Sequence, residues 1–272
     1  MQKPSRHPSK LKRSNLPIGM RMFYKLRKFV LVAVILLLWE AASRRYNPLF
    51  VPSPRQVFSD LVYLVRNGEL LIAARYSFLR VTVAAILSGV IAFPAALLIY
   101  NSRIAKEILA PVVGVMRYIP VTAFYPLLIM WAGIGEEMKI AFLFIATFVY
   151  MMPSVVLCLG EINTDLIDTA LTIGMSKWQT IYMVQIPAIL PSVANSFIMM
   201  YGIGFTYIAV AETVNAKYGL GWIIQQSSSR GRTDMVFMAI SVIVAISITF
   251  DWAAKATVKK AFRWRYLDDR AI

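Results

Sequence analysis

The sequence predicts an all-α integral membrane protein of six transmembrane helices. Three observations carry that prediction. Apolar residues come in long blocks rather than at the scattered spacing of a soluble core. Hydrophobic residues make up 58% of the 272-residue chain and charged residues only 16%, where an ordinary soluble domain is about 45–50% apolar and about 25% charged. Basic residues gather at the ends of the apolar blocks. The excess of 29 Lys+Arg over 14 Asp+Glu, a formal charge of +15, would point to nucleic acid in a soluble chain; at block ends it fits the positive-inside asymmetry that orients membrane proteins.

A helix crosses a ~30 Å hydrocarbon layer in about 20 residues. Blocks of that kind lie near 27–43, 77–100, 109–132, 138–159, 190–211 and 236–254. The first is the weakest, because its uncharged run is only Phe29 to Trp39. Its brevity suits a signal-peptide core, but the long basic tail before it, and two arginines directly after Ala41-Ala42-Ser43, favour a retained helix. Prolines enter the next three: Pro94 in the second, Pro120 and Pro126 in the third, Pro153 in the fourth. Each removes a helix hydrogen bond and predicts a kink. The fifth carries YGIGF (201–205), whose glycines permit either close helix approach or local bending. The sixth ends in Lys255, Lys259, Lys260, Arg263 and Arg265, with Arg270 beyond.

Residues 1–28 contain nine Lys/Arg and no acid. With six spans both tails share one side, and their charge assigns it to the cytoplasm. The organisation expected is a basic cytoplasmic tail (1–28), a six-helix domain (29–265) and a short C-terminal tail (266–272). A cytoplasmic loop at 160–189 then joins the fourth and fifth spans. The basic tail is suited to anionic lipid.

Ionisable residues narrow the function. Glu40, Glu212 and Asp251 fall near span ends, where water or headgroups can reach them. Arg117 sits about two turns into the third span, placed either to snorkel to the surface or to line a cavity and attract an anion. Glu136-Glu137 reads as a solvated outer turn. With no acid deep in a span, a proton- or sodium-coupled carrier would lack its coupling carboxylate. Phosphate-cradling GxxxxGK[ST], GxSxG and HExxH are all absent. One histidine (His7) and one cysteine (Cys158) make no His/Cys metal cluster and no internal disulfide. The expectation is a transport subunit with no catalytic site, metal or cofactor of its own.

The loop is the most informative stretch. Leu166, Ala170 and Ile173, with Ile167 and Leu171 beside them, give a short amphipathic helix. Asp165 and Asp168 lie toward its positive end. Gly174 stops it, and Ser176-Lys177-Trp178-Gln179 forms a capping box that starts a second helix. Helices this short need packing from outside themselves, on their own membrane domain or in a groove on another protein; a helix–glycine–helix lever between two spans suits the groove, and the alternative is a surface loop lying on headgroups.

These residues carry a resemblance. Asp168-Thr169-Ala170, three residues, Gly174, nine residues, Val184-Gln185-Ile186-Pro187 resembles the EAA loop, E-A-A-x3-G-x9-I-x-L-P, of bacterial ABC importer permeases. It departs by Asp for Glu, Thr for Ala, Val for Ile and Ile for Leu. Pro52-Ser53-Pro54, Arg117-Tyr118-Ile119-Pro120, Trp131 to Gly135, Gly219-Leu220-Gly221 and Gly231 to Asp234 extend the likeness, from about Trp39 to Arg265, toward the branch serving nitrate, taurine, alkanesulfonate and bicarbonate importers.

The resemblance implies a type I importer fold with two permease subunits, expected as a homodimer, forming the pathway. It also implies two ATP-binding subunits that hold ATP and Mg, and an external substrate-binding protein. Asp168, Thr169, Ala170, Gly174, Met175, Ser176, Trp178, Val184, Ile186 and Pro187 would then couple to the ATP-binding subunit. Polarity and position nominate Arg117, Thr122, Tyr125, Tyr201, Phe205 and Glu212 as pathway residues. The competing reading is a stand-alone channel or facilitator, which predicts transport without ATP.

Overall fold

The computed structural model describes residues 18–266, so the tails at 1–17 and 267–272, including His7 and Arg270, lie outside the described residues. The helices are α1 (Ile18–Arg45), α2 (Pro54–Arg66), α3 (Glu69–Asn101), α4 (Arg103–Met116), α5 (Phe124–Ala132), α6 (Glu136–Gly160), α7 (Thr164–Thr172), α8 (Lys177–Thr180), α9 (Ile186–Ala211), α10 (Leu220–Ser229) and α11 (Thr233–Ala261).

Helices α3, α6 and α9 form the core of the bundle. They approach closely because α3 presents small residues at helical spacing: Ala73, Ser77, Ala84, Ser88, Ala92 and Ala96 are all buried. Small residues allow tight backbone packing where lipid offers no hydrophobic drive to association. Ser88 and Thr147 join α3 to α6 by a 2.6 Å hydroxyl contact. A second apolar cluster packs α2 and α10 with α11 and the first turns of α3. Gly204 of the YGIGF stretch faces this α3–α6 seam, where an added Cβ would lie 2.8 Å from Val81; Gly202 faces open space. Close approach is the role of Gly204.

Length and composition make α3, α6, α8–α9 and α11 membrane-crossing helices, with a bent α4–α5 pair as a fifth candidate. The first expected span lies within α1, which is 28 residues long. Trp39 ties it to the rest: its Nε1 donates to Pro52 O at 2.9 Å and its ring stacks on Phe237.

Two expectations are corrected. The third span is two helices bent by 88° about Arg117–Pro120, not one kinked rod. Pro120 supplies no amide hydrogen and pushes Ile119 out of helical conformation, so the chain leaves α4 at Arg117 and re-enters helix only after Pro120. Pro94 and Pro153, by contrast, lie within continuous α3 and α6. The second loop helix is also not separate: α8 runs through a π-helical turn (Ile181–Gln185) directly into α9.

Candidate functional site

At one end of the bundle the 160–189 loop builds a projecting elbow. Asn163 caps α7, its side chain accepting from Asp165 N at 3.0 Å. Gly174 ends the elbow with φ +86°, a left-handed conformation that favours glycine, and nothing lies within 4 Å of where its Cβ would be. Met175 N and Gly174 N return to the carbonyls of Ala170 and Leu171. The predicted capping box is present: Ser176 Oγ accepts from Gln179 N, and Gln179 Oε1 accepts from Ser176 N at 2.8 Å.

Ala170 and Thr180 turn inward, while Leu166, Leu171, Ile173, Trp178, Tyr182 and Met183 are exposed. Asp168, Thr169, Ser176 and Pro187 are exposed beside them; Met175, Val184 and Ile186 are part-buried. These are exposed apolar side chains with an acidic residue beside them, on a projecting segment.

Midway along the bundle, the α4–α5 bend carries Arg117 and Thr122, both exposed, and Tyr125, part-buried. Tyr125 packs edge-on against Phe142, and its hydroxyl accepts from Thr213 Oγ1 at 3.0 Å. The other three pathway candidates are elsewhere. Tyr201 and Phe205 are enclosed between α3, α6 and α9, with Tyr201 stacked on Phe250 at 3.7 Å.

Glu212 is 0% exposed, which corrects the expectation that water or headgroups reach it. It closes an ionic cluster at the end of the bundle opposite the elbow. Arg80 Nη1 bridges to Glu212 Oε1 and donates to Tyr218 O at 2.8 Å. The other edge of the same guanidinium holds Glu136, Nε to Oε2 at 2.6 Å and Nη2 to Oε1 at 2.7 Å. Lys139 Nζ reaches Glu136 Oε1 at 3.1 Å and Asn215 O at 3.3 Å.

Ser77 Oγ donates to Glu212 and accepts from Leu220 N at 2.8 Å, while Gly221 N donates to Glu212 Oε2 at 2.8 Å. Two cations meet two anions, so the cluster is neutral. Its acceptors and donors stitch the 212–221 loop to α3 and α6. The cluster also accounts for the Gly-Leu-Gly motif: a Cβ at Gly219 would overlap the Glu212 carboxylate, and one at Gly221 would lie 2.8 Å from Ile208 O.

Arg80 and Lys139 were not singled out from the sequence. Arg80 falls inside the expected second span, and a charge there is itself a signal of a buried partner; that partner, Glu212, lies 132 positions away.

Residues 68–263 match the family described as binding-protein-dependent transport system inner membrane component. This chain belongs to that family. The permease resembles the taurine transport system permease protein TauC of Escherichia coli K12, 27% identical over 240 residues that cover 86% of this chain and 87% of TauC. It also resembles the putative aliphatic sulfonates transport permease protein SsuC of Bacillus subtilis 168, 22% identical over 249 residues, covering 91% and 90%.

Among solved structures, the MetNI methionine ABC transporter in an inward-facing conformation aligns with a TM-score of 0.64 at 22% identity, over 72% of this chain and 97% of that one. An amino acid ABC transporter crystallised with histidines aligns at 0.60 and 16% identity, over 74% and 97%. At those identities the likeness is one of fold. The permease is a multi-pass protein of the bacterial inner membrane, and its likeness to TauC and SsuC supports the nitrate, taurine and sulfonate branch.

Proposed function

We propose that this permease forms the translocation pathway of an ATP-driven importer, as a homodimer with two ATP-binding subunits that carry ATP and Mg, and receives its solute from an external binding protein. The chain itself then needs no cofactor or catalytic residue. The exposed apolar face of the elbow around Gly174 carries the proposal. It has the shape and chemistry of an insert for a groove, and the exposed Leu166, Leu171 and Ile173 of α7, with Trp178 at the start of α8, support a partner there. Asp168, Thr169, Ala170, Gly174, Met175, Ser176, Trp178, Val184, Ile186 and Pro187 are the coupling segment in this reading.

In that arrangement α1 supplies the first of six spans, both termini and the elbow are cytoplasmic, and the ionic cluster faces outward. Closure of the ATP-binding dimer draws the two elbows together. Because α8 is continuous with α9, that motion enters the membrane domain directly. The transported solute is a small oxyanion, the class that TauC and SsuC are named for, with sulfonate, taurine, nitrate and bicarbonate as candidates. Arg117 at the α4–α5 bend is the exposed cation that would attract it, flanked by Thr122 and Tyr125; Tyr201, Phe205 and Glu212 support the pathway from within the protomer rather than line it.

The test is purification of the tagged permease in mild detergent with its native neighbours, wild type beside Gly174→Glu. A separate ATP-hydrolysing subunit is expected with the wild type, and the variant is expected to lose that subunit or its coupling to transport. Absence of any such subunit from the wild type would overturn the proposal in favour of a stand-alone channel.

A further inference from the structure

The π-helical turn at 181–185 has a local cause and a distant consequence. Pro187 lacks an amide hydrogen, and its ring crowds the carbonyl four residues earlier, that of Met183. A π turn carries one extra residue, which accommodates the proline and rotates the remainder of the helix by about 100° relative to an unbroken α-helix. Gln185 closes the turn and is 3% exposed.

The Gln185 side chain meets Asn101, the last residue of α3. Asn101 Nδ2 donates to Gln185 Oε1 and Gln185 Nε2 donates to Asn101 Oδ1, both at 2.9 Å. The two amides form a closed reciprocal pair, and Asn101 Nδ2 also donates to Leu97 O at 2.9 Å. The next residue, Ser102, caps the end of α3 and the start of α4 at once, its side chain accepting from Ala105 N. The pair therefore joins the foot of the elbow to the hinge between α3 and the helix that ends at Arg117.

We propose that Asn101 and Gln185 are positioning residues that carry displacement of the elbow to the α3–α4 hinge, and through α4 to the bend at Arg117–Pro120, in parallel with the direct route along α9. The inference rests on the reading of the elbow as a dock for an ATP-binding subunit. Neither side chain touches solute. A reciprocal amide pair is directional in both senses, so it resists sliding as well as separation. Loss of Asn101 leaves the buried Gln185 amide short of hydrogen bonds, and loss of Gln185 frees Asn101, which is exposed, to turn to water.

The test uses the full complex in lipid nanodiscs, in a Cys158→Ser background, with spin labels on cysteines placed at Thr164 or at Tyr118. Both sites are exposed, the first on the elbow and the second at the bend. The label-to-label distance between the two protomers is read with and without ATP and vanadate, which needs no knowledge of the solute. With the native pair, both distances are expected to shift.

In Asn101→Ala and in Gln185→Ala, the Thr164 distance should shift as before while the Tyr118 distance keeps less than half its shift. The exchanged double variant, Asn101→Gln with Gln185→Asn, preserves two facing amides and should restore the Tyr118 shift. A full Tyr118 shift in either single variant would overturn the inference, as would failure of the exchange to restore it while Thr164 still responds. If the Thr164 distance ignores nucleotide in the native-pair complex, the docking reading fails first and the tie falls with it.

Discussion

Removing the Glu212 carboxylate should destabilise the permease more than removing Glu212 and Arg80 together. In the native cluster Arg80 and Lys139 balance Glu136 and Glu212. Glu212→Ala leaves two cations against one anion and strips the acceptor from Arg80 Nη1, the Ser77 hydroxyl and Gly221 N. Arg80 is 4% exposed, so its charge cannot be rehydrated without opening the bundle. Breaking a buried pair from one side costs about 3–5 kcal/mol, which for a chain of this size lowers a thermal midpoint by roughly 10 °C.

Arg80→Met with Glu212→Leu keeps Lys139 paired with Glu136 and restores neutrality. The remaining loss is chiefly the orphaned Gly221 N–H, about 1–3 kcal/mol. The assay is thermal unfolding in detergent at one fixed scan rate, because such transitions are commonly irreversible and only relative midpoints are meaningful. The ranking expected is wild type, then the double variant, then Glu212→Ala. A Glu212→Ala midpoint within about 2 °C of wild type, or a double variant no more stable than the single, would refute the view that net charge governs this site.

Glu136 is 53% exposed at its side chain, so Glu136→Gln should lower the same midpoint far less, by an amount equivalent to about 1 kcal/mol once solvent screening is counted. Gly204→Ala should destabilise through its contact with Val81, whereas Gly202→Ala, facing open space, should not; thermal midpoints of the two distinguish packing from flexibility. At Gly174 the obstacle is backbone conformation alone, so Gly174→Ala should weaken retention of the ATP-binding subunit and Gly174→Asn should weaken it less, as copurified ATPase activity reads.

Asp60 lies beside Asp234, with Arg232 donating to both. Burial, then the hydrogen bond and charge of Asp234, push the Asp60 carboxyl above its usual range. The folded chain therefore holds this proton more tightly than the unfolded one, and stability contributed by Asp60 is full below pH 3.8 and lost as pH rises through the raised value. Asp60→Asn should accordingly raise the thermal midpoint at neutral pH and converge on wild type toward pH 4; a gain that persists unchanged at low pH would exclude this cause.

Local signals in the sequence mapped onto local structure. The capping box at Ser176 and the stop at Gly174 are each decided by a few neighbouring residues and stand where those residues placed them; at Pro120 the expected kink is a full break between two helices. The short motifs quoted for the family resemblance sit almost entirely at such punctuation: Ser53-Pro54 opens α2, Gly133 and Gly135 turn the chain between α5 and α6, and Gly219 and Gly221 make room for Glu212 and α9. What the sequence hid was long-range. Glu212 at a span end has the pattern of an interfacial anchor, and only the fold brings Arg80 and Ser77 to it. Tyr201 and Phe205 have the polarity and position of pathway lining, and only helix rotation decides that they face α3 and α6. Gln185 occupies an unspecified place in the loop pattern, and its pairing depends on a π turn that no periodicity announces.

The two polar ties differ in kind, and the difference matches what each end must do. Opposite the elbow, four charges are neutralised in a buried cluster that would leave an uncompensated ion if its parts separated, a penalty of several kcal/mol. That end is built to keep α3, α6 and the 212–221 loop together as one body. At the elbow end the link between Asn101 and Gln185 is neutral: the exposed Asn101 amide can turn to water, and parting the pair leaves only the buried Gln185 amide unsatisfied, at about 1–3 kcal/mol and with no uncompensated charge. Such a joint transmits displacement while it holds, yet can rearrange on a scale that nucleotide binding readily supplies. A firmly tied end around Glu212 and a looser joint at Asn101–Gln185 would, on the proposed reading, concentrate motion entering at the elbow on the 88° bend that carries Arg117, with Thr122 and Tyr125 beside it.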